Sequence, residues 1–116
     1  FNCKNLTKGK GLDFRRAHLP GLALPKNSNL KGANFSNANL MGASFTHSNL
    51  SKASFNNANL TKTSFLYCSL ENTNFRLANL KGADLRLAYH VTCEQIQSAV
   101  IDETTRLPYY IYLIDS

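Results

Sequence analysis

Residues 28–87 read SNL KGANF SNANL MGASF THSNL SKASF NNANL TKTSF LYCSL ENTNF RLANL KGADL RL, and a period of five runs through them without a break. The large apolar centres are Leu30, Phe35, Leu40, Phe45, Leu50, Phe55, Leu60, Phe65, Leu70, Phe75, Leu80 and Leu85. Two residues before each stands a small one, from Ser28 and Ala33 to Ala78 and Ala83, with Thr63, Cys68 and Thr73 as the larger variants. The residue between is always Asn, Ser or Asp. Five matches neither the 3.6 of a helix nor the 2 of a simple strand. It fits a coil that turns a corner every five residues. Centre and small residue, two apart in an extended segment, then share the inward side. One of the two must be small, because the large centres already fill a narrow core. The polar residue faces out beside a corner, where Asn, Asp and Ser bond nearby backbone groups. Folded at twenty residues, the centres sort into columns such as Leu30/Leu50/Leu70 and Phe35/Phe55/Phe75. This agrees with four sides per coil, although a period of ten would also alternate Leu and Phe.

The pattern reaches further towards the N-terminus. Phe14, Leu19 and Leu24 are five apart but one residue out of phase with Leu30. One extra residue accommodated near Pro25 would place Phe14 in the Phe35 column. The expected organisation is an irregular N-terminal cap at 1–11, a repeat region at 12–90 and a C-terminal cap at 91–116.

The triplets Ala33-Asn34-Phe35, Ala38-Asn39-Leu40, Ala58-Asn59-Leu60, Ala78-Asn79-Leu80 and Ala83-Asp84-Leu85 resemble the signature of the pentapeptide-repeat family, Ala-(Asp/Asn)-Leu-x-x. The resemblance covers about two thirds of the chain. It implies an all-β fold, a right-handed quadrilateral β-helix, here of about four coils closed by a short capping α-helix. It implies little about activity, since fold does not fix function. Some members protect DNA gyrase by imitating DNA with a long acidic rod.

A solenoid needs caps because its ends expose core and unpaired backbone. Thr92-Cys93-Glu94-Gln95 reads as a capping box, and Ile96, Ala99 and Val100 fall on one helical face, predicting a helix from Cys93 to Val100 over the last coil. The tail resembles that of many family members, with Asp102, Thr105, Leu107 and Pro108 following the helix.

Charge and composition narrow the functional classes. The net charge is +6. Residues 1–27 and 28–87 are basic and residues 88–116 acidic, which allows a weak head-to-tail contact between copies. Lys4, Lys8, Lys10, Arg15, Arg16 and Lys26 form a candidate basic patch for nucleic acid. The positive repeat region has the wrong sign for a DNA mimic bound to gyrase. Outward-facing apolar residues Leu66, Tyr67, Leu77 and Leu87, with Tyr109, Tyr110 and Tyr112 of the tail, form a candidate interface. Tyr89 is a further outward aromatic. Either the tail folds back over these residues or they meet another protein or a second copy.

No catalytic, metal or cofactor constellation is present in the sequence, and none of these roles is assigned. Cys3, Cys68 and Cys93 are odd in number and widely spaced, fitting neither a disulfide framework nor a zinc site. Cys68 takes an inward slot, and a Cys68–Cys93 bridge is conceivable. His18, His47 and His90 read as solvated. The expected function is a non-catalytic scaffold for protein–protein interaction, with nucleic-acid binding as the alternative. No stretch approaches a membrane span. Phe1 in place of Met predicts an upstream segment removed, so the expected protein is soluble, in the cytoplasm or exported.

Overall fold

A computed structural model describes residues 11–114, with side chains described to Ile111. Parallel bridges join Asn29 to Asn49, Asn49 to Ser69 and Ser69 to Tyr89, and three equivalent series run beside them. The regular step is twenty residues, so each coil bonds to the one above and the one below. Asn59 donates its N–H to Ala38 O at 2.9 Å, and Leu60 donates to Asn79 O at 2.9 Å. These are the evenly spaced bonds of a parallel ladder. The architecture is a β-helix whose strands are single extended triplets between two-residue turns.

Each turn is closed by a bond from the next small residue to the preceding centre, as in Ala33 N–H to Leu30 O at 3.0 Å. Except at Leu87, the second turn residue within the repeat has positive φ, as type II turns require. Gly32, Gly42 and Gly82 meet that requirement without strain. Asn37, Asn57 and Asn72 tolerate it, whereas Tyr67 (φ 58°) and Leu77 (φ 58°) do so at a cost. Leu77 shares its column with Asn37 and Asn57, and its side chain is 54% exposed. Leu77→Asn should therefore raise unfolding stability by about 1 kcal/mol in a chemical denaturation series.

The outward Asn and Asp residues lock the same turns. Asn34 Oδ1 accepts the N–H of Ser36 at 2.9 Å, and Asn49, Asn59, Asn74 and Asn79 each accept from the residue two ahead. Inside, Phe14, Phe35, Phe55 and Phe75 stack face to face at 4.9, 5.0 and 5.6 Å. Phe45 and Phe65 form a second stack at 5.7 Å. The two stacks meet edge to face, with Phe55 and Phe65 at 6.0 Å and 82°, the geometry that ring quadrupoles favour. Leu30 through Leu80 fill the other two sides, fully buried. Of the first centres, Phe14 is buried, while Leu19 and Leu24 are partly so.

Phe14 joins the Phe35 column because Pro25 is an added residue. Pairing before it steps by twenty-one, from Asp13 to Asn34 and from Ala23 to Ser44. The insertion leaves a mark one coil on. Thr63, Cys68 and Thr73 each donate to a centre carbonyl twenty-three residues earlier. For Ser48 that position is Pro25, whose carbonyl is already taken by Ser28 Oγ at 2.6 Å. Ser48 Oγ is buried without a partner. Ser48→Ala should be neutral or stabilise by up to ~1 kcal/mol in the same denaturation assay.

The C-terminal helix is shorter than expected and sits differently. α1 spans Cys93–Ser98 and takes the place of one side of the last coil. Beyond it pairing resumes, Asn79 with Val100 and Asp84 with Arg106. Val100 is thus strand-like, because Ala78 O accepts its N–H. The capping box forms, with Gln95 N–H on Thr92 Oγ1 and Thr92 N–H on Gln95 Oε1. Gln95 Nε2 also donates to Leu70 O at 2.7 Å and Thr73 O at 2.9 Å. α2 spans Tyr109–Ile114 behind Pro108, a residue suited to a helix start. Tyr110 hydroxyl donates to Ala88 O at 2.8 Å and accepts the N–H of Val91 at 3.2 Å. The tail therefore packs against the end of the tower.

Candidate functional site

The expected interface residues do not form one group. Turns recur in the same column every twenty residues, so Leu66–Tyr67 lies directly over Arg86–Leu87, joined by Tyr67 N–H to Leu87 O at 3.0 Å. Leu77 lies half a coil from both. Tyr109 and Tyr110 belong to the tail, and the Tyr112 side chain lies outside the described residues. Tyr67, Leu87 and Tyr89 remain 40%, 48% and 53% exposed, so the tail does not cover them. They gather on one side of the tower, between the turns at 46–47, 66–67 and 86–87 and those at 31–32, 51–52 and 71–72.

That side is built in rungs. Its floor is the bridged column Asn29, Asn49, Ser69 and Tyr89. Ser51 and Ser69 hydroxyls are 3.1 Å apart across two rungs. Along one corner His47 stacks on Tyr67, rings 4.7 Å apart and 16° from parallel. His47 is therefore not merely solvated, and the stack follows from the twenty-residue step between them. The other expected surface histidines, His18 and His90, are exposed.

The expected basic patch is also divided. Lys4, Lys8 and Lys10 lie outside the described residues. Arg15 is held by Asp13, Nη2 to Oδ2 at 2.8 Å. The Arg15 hydrogen bonds hold the Asp13 carboxyl down at about 2. Arg16 and Lys26 occupy turns half a coil apart. Arg86 pairs with Asp84 at 2.8 Å, which lowers the Asp84 pKa, helped by nearby Arg106.

No group of three or more His, Cys, Asp or Glu able to hold a metal ion occurs among the described residues. Cys68 and Cys93 are free thiols. Burial pushes the Cys68 thiol up to about 12, far from the range of reactive cysteines. Peptide mapping after brief alkylation at mildly alkaline pH should find Cys68 unmodified in the folded protein and fully modified in denaturant. An open apolar depression of about 200 Å³ at the C-terminal end is lined by Cys93, Ile96, Gln97, Ile101, Leu107 and Ile111. No described helix is long and apolar enough to cross a membrane.

Comparison with known proteins agrees with this geometry. The family described as pentapeptide repeat region matches residues 13–89. A pentapeptide repeat protein from the thylakoid lumen of Arabidopsis thaliana is similar in structure, with 24% identity and a TM-score of 0.62 over 99% of this chain and 95% of that one. A pentapeptide repeat protein of the cyanobacterium Cyanothece 51142 gives 22% identity and a TM-score of 0.36, covering 84% and 88%. A plasmid-mediated fluoroquinolone resistance protein gives 21% and 0.37, covering 95% and 70%. Among curated proteins none matches the sequence.

Proposed function

This chain belongs to the pentapeptide-repeat family, and from that premise we propose that it is a non-catalytic scaffold binding another protein through a side of its tower. We read the β-helix as the family's right-handed, four-sided form, on the basis of four two-residue turns in each twenty-residue coil. The observation that carries the function is the exposed apolar group at Tyr67, Leu87 and Tyr89, gathered on one side of the tower. Tyr67 holds its place at positive φ, where Asn would be less strained. A rigid repeat backbone presents such side chains on a fixed grid, which reduces the entropy lost on binding.

The test is capture from the source organism by the intact chain and by a Tyr67→Asn, Leu87→Ser variant. A discrete partner protein retained by the first and lost by the second, unchanged by nuclease, is the expected result. Capture that nuclease abolishes would favour the nucleic-acid reading through the basic N-terminal end. Capture equal for both proteins would contradict the assignment.

A second reading rests on Val100, Ile101 and Tyr109, exposed at the C-terminal end. Self-association through that end would appear in light scattering as a mass rising with concentration. DNA mimicry towards gyrase has less support, because the charge is positive.

A further inference from the structure

The side that bears Tyr67 and Tyr89 changes character along the tower axis. Its first two rungs carry Lys26, Lys31 and Lys52, all exposed and in no ion pair among the described residues. Its last two carry Leu66, Tyr67, Leu87 and Tyr89, with Glu71 as the acidic residue on this side and Arg86 already paired with Asp84. Between them lies a flat floor of Asn29, Asn49 and Ser69, whose amide and hydroxyl groups are held by the turns and by Ser51. The neighbouring Asn34/Ser54/Asn74 side shares the Lys31 and Lys52 turns but has the single exposed apolar residue Leu77 at its far end. The Asn39/Asn59/Asn79 column is uniformly polar until Val100, and the Ser44/Ser64 column ends in Asp84 and Arg106.

We propose that this side is a docking strip for a short linear peptide segment of another protein, acidic at one end and apolar or aromatic at the other. The inference rests on the scaffold reading and names its partner's chemistry. Complementarity of charge selects the acidic end, since the three lysines offer uncompensated positive potential. The length of the strip selects a short segment. From the Lys26 rung to the Tyr89 rung is three strand spacings, ~14 Å, which about four or five extended residues span. That footprint is too small for a standard protein–protein interface, which buries ~800 Å² on each partner. A second copy of this chain is therefore not the occupant, and a flexible segment is.

The strip's column also predicts which variants keep the fold. Asn occupies the left-handed turn position at Asn27, in the same column as Tyr67. Tyr67→Asn thus removes the aromatic anchor and leaves the turn intact. Lys26→Glu, Lys31→Glu and Lys52→Glu together reverse the charge on exposed side chains.

The experiment is an amide NMR titration of the whole chain with the synthetic peptide acetyl-Asp-Glu-Ser-Leu-Phe-amide. Two control peptides replace the acidic pair by Lys-Lys or the Leu-Phe pair by Ser-Ser. The expected result is weak saturable binding, with shifts confined to residues 26–31, 46–52, 66–71 and 86–90. The triple charge reversal and Tyr67→Asn should each weaken it by about tenfold, the scale of a lost anchor or of several surface charge pairs. Each control peptide should bind more weakly than the parent. Equal binding of the Lys-Lys peptide would overturn the proposal, as would no saturable binding. Saturable shifts mapping to another side would also overturn it while leaving the scaffold reading in place.

Discussion

Phe55→Ala should lower the unfolding free energy by about 3–5 kcal/mol, enough to unfold much of a small domain. Phe55 is fully buried. It stacks on Phe35 at 5.0 Å and Phe75 at 5.6 Å, and meets Phe45 and Phe65 edge-on at 5.8 and 6.0 Å. Its removal opens a void in the middle coil, where neither neighbour can move without breaking the twenty-residue ladder. Phe55→Leu should cost far less, because Leu85 occupies a centre position in the neighbouring Phe column without disturbing the coil. Denaturant midpoints of the two variants check this. Equal midpoints would mean that filling the void recovers nothing and that the loss lies in the ring contacts themselves.

The second large effect is expected at the cap. Gln95→Ala removes three bonds at once: the return to Thr92 N–H and the two donations to Leu70 O and Thr73 O. Thr73 O then loses its donor beside a half-buried helix while Leu70 O keeps only the Thr73 N–H, which together with the weakened capping box costs about 2–3 kcal/mol. Gln95→Glu is the sharper probe. It can keep the bond from Thr92 N–H but cannot donate when ionised, and it sets a carboxylate against two carbonyls. Its destabilisation should therefore ease as pH falls through the carboxylate range, where protonation restores a donor. The pH dependence of the denaturant midpoint, compared with that of the parent, measures it.

These two residues mark what the sequence did and did not disclose. The pentad centres, the small slots and the one-residue slip at Pro25 were all legible, because each is a strict spacing repeated along the chain. The place of α1 was not. Its capping box was visible in Thr92 and Gln95, but spacing alone could not show the helix replacing a side of the last coil. That depends on where Gln95 Nε2 reaches, twenty-two and twenty-five residues back.

The surface was legible only in part. Leu66, Tyr67, Leu77 and Leu87 were grouped by nearness in the chain, whereas the fold groups them by remainder after division by twenty. That rule places Leu66–Tyr67 over Arg86–Leu87 and sends Leu77 half a coil away. The same rule was needed to see His47 on Tyr67, and Lys26, Lys31 and Lys52 beside them. Of the described members of the basic patch, Arg16 and Lys26 stand on different turns and Arg15 is committed to Asp13. Tyr110 carried no pattern at all. Its hydroxyl finds Ala88 O and Val91 N–H only because the tail turns at Pro108.

The sides of the tower are set by the twenty-residue register, and through-hydrogen-bond scalar couplings in solution NMR test it most directly. Couplings should join Asn59 N to Ala38 C′, Leu60 N to Asn79 C′ and Phe55 N to Asn74 C′, following the bonds at 2.9, 2.9 and 2.8 Å. Couplings at a ten-residue step in place of these would contradict the coil and with it the side on which Lys26, Lys52, Tyr67 and Tyr89 meet.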